Sequence, residues 1–331
     1  MQTVSIIIPC RNEEKYIQSC ITSLLENGYP QDLLEIIVVD GMSTDKTKEK
    51  VLELKASFQR IKWIENKQRK TPFALNIGMN AASSEYILIA SAHSSFDKNY
   101  ISILVDKMSE LKADVVGGVM QTAVKNETKT SLAIQSVLAH RFGVGNSMFR
   151  VGVENDTEAD TVPFGLYNAE LLKKVQGYDE RLIRNHDIEL SKRLLALGTK
   201  IYLIPSAKCT YYARETWGAL AKNNFNNGKW NLLTVYITKD FSSLSIRHFI
   251  PLLFLMSLLF PLILGFIHPW FMSLSLLSLA LYGLVLLLSI FKMDRKETSF
   301  GHLIITFIVL HFSYGVGSLI GGLQVHKLIS K

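Results

Sequence analysis

The stretch VSIIIPCRNE, residues 4–13, decides the fold class. Val4 to Ile8 is a short run of mostly β-branched apolar residues, the composition of a buried strand, and it breaks at Pro9 into the polar loop Pro9-Cys10-Arg11-Asn12-Glu13-Glu14. The same grammar recurs downstream. Glu35 to Val39 runs into Asp40-Gly41-Met42-Ser43-Thr44-Asp45, and Tyr86 to Ile89 into Ser91-Ala92-His93-Ser94. Ile61 to Ile64 and Val115 to Val119 are two more strand candidates, and helix-period stretches over residues 14–27, 44–57, 72–82 and 98–111 separate them. This alternation predicts an α/β fold with a mostly parallel, doubly wound sheet. Ligands of such sheets lie beyond the carboxyl ends of the strands, which is where the polar loops fall.

Further along, residues 121–165 lack a clear period and read as an irregular, substrate-facing segment. A helix over Ala169 to Val175, the turn Gly177-Tyr178-Asp179-Glu180, a helix over Ile188 to Leu197 ended by Gly198, and a strand over Lys200 to Ile204 follow. Thr216 to Trp230 has the pattern of an amphipathic helix at a membrane surface, with Trp217 and Trp230 as interfacial aromatics.

The remainder is apolar. No Lys, Arg, Asp or Glu occurs between Arg247 and Lys292, nor from Thr298 to His326, an exclusion foreign to soluble chains. Three membrane-crossing helices are expected at 249–267, 270–291 and 302–323, each near the ~20 residues a bilayer requires. Gly317 and Gly321 have the spacing that lets helices approach closely. Lys239 and Arg247 precede the first span, Lys292, Arg295 and Lys296 follow the second, and the turn at His268 has no cation, so the amino-terminal domain is expected on the cytoplasmic side. Lys327 and Lys331 near the end run against that asymmetry.

The expected layout is therefore a domain over 1–230, an interfacial linker over 231–248 and a multi-pass anchor over 249–331. The amino terminus lacks the basic flank and length of a signal peptide. Three cysteines, Cys10, Cys20 and Cys209, fit a reducing compartment and no disulfide framework. A net charge of +7 suits membrane lipids or phosphate-bearing ligands, and no nucleic-acid partner is expected.

Asp40 ends an all-apolar strand and precedes a glycine, where it can accept hydrogen bonds from a base or ribose; it is equally suited to forming the turn, with Asp45 capping the next helix. No G-x-G-x-x-G follows the first strand and no G-x-x-x-x-G-K-[ST] occurs, which argues against dinucleotide oxidoreductases and P-loop ATPases.

Taken in order, VSIIIPCRNEEKYIQSCITSLL, IIVVDGMSTDKT, ALNIGMNAASSEYILIASAH and GYDERLIRNHDIELSKRLLALG resemble the family 2 glycosyltransferases over residues 3–230. DTVPFGLY (160–167), NNFNNGKW and HFSYGVGSLIGGL are most similar to the branch that builds succinoglycan-type exopolysaccharides. The resemblance implies a GT-A fold, a Rossmann-like domain followed here by a transmembrane helical segment. It implies a nucleotide-sugar donor, UDP-linked, held by Pro9, Arg11, Asn12, Glu13, Asp40, Lys70 and Ser91, and a lipid-linked glycan acceptor. Most of the family carries Asp-x-Asp after the fourth strand to hold a divalent cation on the diphosphate. Here the motif is Ser91-Ala92-His93, leaving His93 as the candidate ligand for Mn2+ or Mg2+.

By the same resemblance Asp187 is the general base on the acceptor hydroxyl; from sequence it is equally an N-cap for the helix at Ile188. His186 stands where the family usually has Glu, and Lys229-Trp230 sits in the place of the Gln-x-x-Arg-Trp motif of processive synthases; these three residues are assigned to the acceptor or membrane side. Three short spans favour addition of one sugar over polymer export. Two alternatives stay open: a catalytically silent nucleotide- or glycan-binding scaffold, suggested by Ser91 and His186, and a processive synthase.

Overall fold

The computed structural model describes residues 2–293 and 297–329, the last four by backbone only. Arg295, Lys296, Lys331 and the Lys327 side chain, which entered the charge asymmetry above, lie outside the described residues. The chain divides into two compact units, Met1–Gln121 with Met148–Tyr212, and Thr122–Ser147 with Ala213–Lys331.

The first unit begins β1 (Val4–Cys10), α1 (Ile17–Leu25), β2 (Leu34–Asp40), α2 (Thr47–Ser57), β3 (Ile61–Glu65), α3 (Thr71–Ala81), β4 (Tyr86–Ile89), β5 (Ser94–Phe96), α4 (Tyr100–Glu110) and β6 (Val115–Ala123). The second unit contributes α5 (Lys129–Leu138) and α6 (Arg141–Val144) before the chain returns to the sheet. Then come α7 (Met148–Val151), β7 (Thr157–Glu158), β8 (Leu166–Asn168), α8 (Ala169–Lys174), α9 (His186–Ala196) and β9 (Ile201–Tyr212). Among the described residues the strands form one sheet in the order β3-β2-β1-β4-β8-β6-β9-β5, with β7 beside β9.

The expected parallel sheet holds for β3, β2, β1 and β4. Beyond β4 the sheet is mixed, because β8 runs antiparallel to both β4 and β6, and β9 antiparallel to β5 and β7. Periodicity reports that a strand is buried, not which way it runs, so this half was not legible. Ile6, Ile8, Ile36 and Val38 enter one apolar core, and Ile7, Ile37 and Val39 the other, so β1 and β2 are covered on both faces.

At the amino-terminal edge of the sheet, Glu35 is buried beside Ser5, its register partner. Its carboxylate accepts hydrogen bonds from the Ser5 hydroxyl and from Ser83 N at 2.8 Å and Oγ at 2.9 Å, and Lys62 Nζ approaches to 2.6 Å. Burial works against the charge, yet Lys62 and the serine donors outweigh it and hold the carboxyl down at about 2, against an ordinary 4.5. A depressed carboxyl stabilises the fold above about pH 4.5 and loses that contribution as pH falls through about 2. Glu35→Ala is expected to cost about 1–3 kcal/mol at neutral pH, read by denaturant unfolding, with the difference from wild type shrinking in acid.

Residues 122–147 correct an expectation. They are not an irregular loop: Thr128 and Ser131 form a capping box that starts α5, whose Ala133, Ile134 and Val137 are buried with Leu220, Leu286 and Phe307 of the same unit. The T-x-x-S spacing was the available signal.

The rest of the second unit is α10 (Trp217–Thr238), α11 (Ile250–Leu264), α12 (Phe271–Phe291) and α13 (Phe300–Ile329). Instead of ending at Trp230, α10 continues to Thr238, and the expected linker is reduced to two short turns at Phe241–Ser243 and Ile246–His248. The Trp217 indole N–H donates to Thr306 Oγ1 on α13 at 2.9 Å. Phe271–Phe291 and Phe300–Val325 are long and apolar enough to cross a membrane. The first apolar segment folds as the 15-residue α11, a rise of about 22 Å against a hydrocarbon core of about 30 Å.

Gly317 and Gly321 make the close approach their spacing predicts, and the partner is α10. A Cβ at Gly317 would lie 2.0 Å from Phe225 O, one at Gly321 2.1 Å from Lys229 O, and one at Gly228 of α10 2.0 Å from Tyr314 O. The two backbones touch where side chains are missing.

Candidate active site

Parallel register brings the carboxyl ends of three strands into line: Cys10 pairs with Asp40, and Asp40 with Glu65. β4 ends beside them, with Ile7 opposite Ile89. The loops after these ends interlock. Asn12 N donates to Ser43 Oγ, Glu13 N to Thr47 Oγ1 and Thr44 N to Asn12 Oδ1, each at 2.8 Å. Asn12 and Met42 hold positive φ of 57° and 63°, which turns the loops toward each other. Thus Pro9, Arg11, Asn12, Glu13 and Asp40 share one edge, with Arg11 and Asn12 exposed.

Asp40 is only 4% exposed, and its carboxylate accepts from Ser43 N at 2.9 Å and Ser43 Oγ at 2.5 Å. The turn-forming role weighed from sequence is therefore real, and a carboxylate with two oxygens retains acceptor capacity for a ligand. The cap position of α2 is Lys46; Asp45, one residue earlier, accepts from Thr47 N at 3.0 Å. Lys70 is exposed at the start of α3, its ammonium 5.9 Å from the Phe73 ring centre, and its carbonyl accepts from the buried Asn66 amide at 2.8 Å.

After β4, Ser91 Oγ and His93 Nδ1 lie 3.3 Å apart, and His93 Nδ1 lies 3.3 Å from Glu13 Oε1. The His93 ring packs edge-on against Tyr211, at 5.0 Å, and Tyr16, at 6.4 Å. Arg150 lies over Tyr211 at 5.4 Å, and burial lowers its pKa from the ordinary guanidinium value. Sequence reasoning missed Arg150 and Tyr211. Arg150 lay in the segment read as irregular, and Tyr211 beyond the expected end of its strand, since β9 runs to Tyr212.

As a test of fit to a divalent cation, a hydroxyl, an imidazole and a carboxylate converge here. Among the described residues no group of three or more His, Cys, Asp or Glu side chains could hold a metal ion. The donors are of the right chemistry but make a partial shell, which substrate oxygens would have to complete.

Asp187 is exposed in the first turn of α9. That helix starts at His186, two residues earlier than expected, and the cap position belongs to Asn185 in the left-handed region (φ 62°, ψ 9°), so Asp187 does not serve as the N-cap. Its carboxylate is left for other work. Burial first, and then the nearby Asp187 charge, pushes the Tyr167 phenol up. His186 stacks edge-on against Tyr178 at 5.7 Å, and burial lowers its imidazole from the ordinary 6.5. It is neutral at pH 7 and places no cation beside the carboxylate.

One clamp ties this turn to α3. Asn76 Nδ2 donates to Tyr178 O at 2.9 Å and to Glu180 Oε1 at 3.0 Å, and Tyr178 N donates to Asn76 Oδ1 at 2.9 Å. Gly177, at φ +64°, permits it; a Cβ there would strike Asn76 Oδ1 at 2.5 Å. Lys229 and Trp230 belong to the other unit, on α10. Cys10, Cys20 and Cys209 are buried and free, and burial above all pushes the Cys20 thiol up to about 12, which marks it as inert.

A parallel half-sheet with interlocked loops at its carboxyl edge, joined to a mixed half and followed by an exposed helix-borne carboxylate, is the architecture of a GT-A glycosyltransferase. The sequence model of Glycosyl transferase family 2 matches residues 5–175, and the chain belongs to that family. It is 31% identical over 236 residues, 69% of this chain and 72% of the relative, to the dolichyl N-acetyl-alpha-D-glucosaminyl phosphate 3-beta-D-2,3-diacetamido-2,3-dideoxy-beta-D-glucuronosyltransferase of Methanococcus voltae. With succinoglycan biosynthesis protein ExoA of Rhizobium meliloti it shares 29% identity, over 68% of this chain and 67% of the relative. Among solved structures it is similar to the mannosyltransferase PcManGT of Pyrobaculum calidifontis in complex with GDP-Man and Mn2+ (TM-score 0.61, 16% identity, 97% of this chain and 87% of that one). It is also similar to Staphylococcus aureus TarS 1-349 in complex with UDP-GlcNAc (TM-score 0.54, 16% identity, 99% and 91%). At these identities the structural likenesses concern the fold. The protein is a glycosyltransferase.

Proposed function

We propose that this enzyme inverts configuration as it moves one sugar from a UDP-linked donor to a lipid-linked saccharide. The observation that carries the reading is that the loops after β1 and β2, Pro9 to Glu13 and Asp40 onward, interlock at the carboxyl edge of the parallel strands while Asp187 stands exposed in the first turn of α9. Asp40 and the Pro9–Glu13 loop take the nucleoside, and Lys70, Ser91 and His93 face the diphosphate. Asp187 accepts the proton of the acceptor hydroxyl as its oxygen attacks the anomeric carbon; the nucleoside diphosphate leaves from the opposite face, which inverts the centre. His93 would hold a divalent cation, Mn2+ or Mg2+, from the protein side, and that ion would supply charge neutralisation on the leaving diphosphate.

The M. voltae relative's name specifies a dolichyl-phosphate-linked acceptor, and TarS has been solved with UDP-GlcNAc. The first supports a lipid-linked acceptor; TarS with UDP-GlcNAc and PcManGT with GDP-Man together accord with a nucleotide-sugar donor. The proposed layout is a cytoplasmic catalytic domain within 1–230, a linker shortened to 239–248 by the run of α10 to Thr238, and a multi-pass anchor over 249–331, in contact with membrane lipids. Its support is the two spanning-length helices and the charge asymmetry around them. His186, Lys229 and Trp230 are assigned to the acceptor side.

Ser91 in place of an acid supports a second reading, a silent nucleotide-binding scaffold. Calorimetry with a panel of nucleotide sugars, followed by a transfer assay on a short lipid-linked saccharide, separates them. The enzyme is expected to bind a UDP-sugar and extend the acceptor by one residue. Binding without turnover, with or without Mn2+ and Mg2+, would establish the scaffold; a ladder of long products would establish a processive synthase.

A further inference from the structure

The loop after β4 lacks the carboxylate expected there, but the loop after β1 delivers one to the same place. Glu13 Oε1 lies 3.3 Å from His93 Nδ1, across 80 residues of sequence. Two ligands at right angles about an octahedral cation, each about 2.1 Å from it, lie about 3.0 Å apart. The observed separation is close to that.

Both residues are held through their main chains, and their side chains touch each other while staying partly exposed. Glu13 N donates to Thr47 Oγ1 at 2.8 Å, and Glu13 O accepts from Tyr16 N and Ile17 N at 2.9 Å. His93 O accepts from Tyr212 N at 3.2 Å while Tyr211 and Tyr16 flank the ring. Each side chain keeps 20% exposure, so a ligand can reach the pair.

Resting on the nucleotide-sugar reading above, we propose that Glu13 and His93 together form the protein's half of a divalent-cation seat, with Glu13 replacing the carboxylate missing at Ser91. A divalent ion on a nucleoside diphosphate is commonly held by only one or two protein ligands, its other positions being filled by phosphate oxygens and water. Two ligands are therefore enough when the nucleotide is present and too few without it. The imidazole also shifts the preference from Mg2+ toward Mn2+.

The experiment is Mn2+ binding to the full chain in detergent, followed by electron paramagnetic resonance without nucleotide and with UDP or GDP. Expected are weak binding of Mn2+ alone, at least tenfold tightening by the nucleotide, and a nitrogen coupling on bound Mn2+ that disappears in His93→Gln. Glu13→Gln weakens Mn2+ tenfold or more but keeps the nitrogen coupling, and adding Ser91→Asp to Glu13→Gln restores affinity. That rescue excludes misfolding as the cause. Unchanged Mn2+ affinity in Glu13→Gln, or bound Mn2+ without a nitrogen coupling, overturns the seat. Nitrogen-coupled Mn2+ that no nucleotide tightens leaves the Glu13–His93 ligation standing and removes the donor reading instead.

Discussion

Asp187→Asn is expected to lower turnover by about 10²–10⁴-fold, the range a positioned general base contributes, while UDP binding stays within about twofold of wild type. The substitution keeps shape and removes the lone pair basic enough to take a proton. It should not disturb the helix, because Asn185, not Asp187, occupies the cap position. Losing one negative charge from the first turn costs about 0.3–1 kcal/mol, too little to unfold the domain. The nucleotide ledge is built from the loops after β1 and β2, far from α9 in sequence. Single-turnover kinetics on a lipid-linked acceptor, paired with UDP calorimetry, checks both halves. Retained turnover removes the base from Asp187; a parallel loss of UDP affinity makes it a structural residue.

Gly321→Leu should disrupt the second unit, with a cost at or above the upper end of the about 1–3 kcal/mol usual for overpacking. The first atom of the new side chain would sit 2.1 Å from Lys229 O, and a backbone carbonyl on a packed helix cannot turn aside as a side chain can. Relief requires α10 and α13 to separate, which also opens the contacts at Gly317 and Gly228. Gly283→Leu on α12 is the control, since nothing lies within 4 Å of its added Cβ. Thermal unfolding in detergent, followed by tryptophan emission, should show a large fall in midpoint for Gly321→Leu and little change for Gly283→Leu. Equal midpoints would mean that the close approach carries no stability.

The residues of the ledge were legible because each follows an apolar strand and precedes a helix, and that order is local. Their mutual contacts were not. Nothing in the string couples Asn12 to Ser43, or Glu13 to His93; those pairs exist because β1 lies between β2 and β4. Asp187 was found through its motif, but its placement was misjudged by two residues, since a left-handed Asn185 can end a turn and begin a helix at once. The amphipathic period of α10 suggested a helix lying on a membrane, whereas its glycine and its indole N–H serve packing against α13. A polar stripe on a helix looks the same whether it meets water or another backbone.

By itself the sequence determined the kinds of elements and the residues at their ends: strands from β-branched runs, helices from their period, spans from the exclusion of charge. It also determined the family. Only the tertiary structure decided direction and neighbourhood: that β8 runs against β4 and β6, that residues 122–147 leave the first unit for the second, and that a carboxylate from the loop after β1 meets an imidazole from the loop after β4. The physical reason is range. Propensity, capping and hydropathy act over a few residues, whereas strand order and side-chain meetings are set by which apolar faces bury one another across the whole chain.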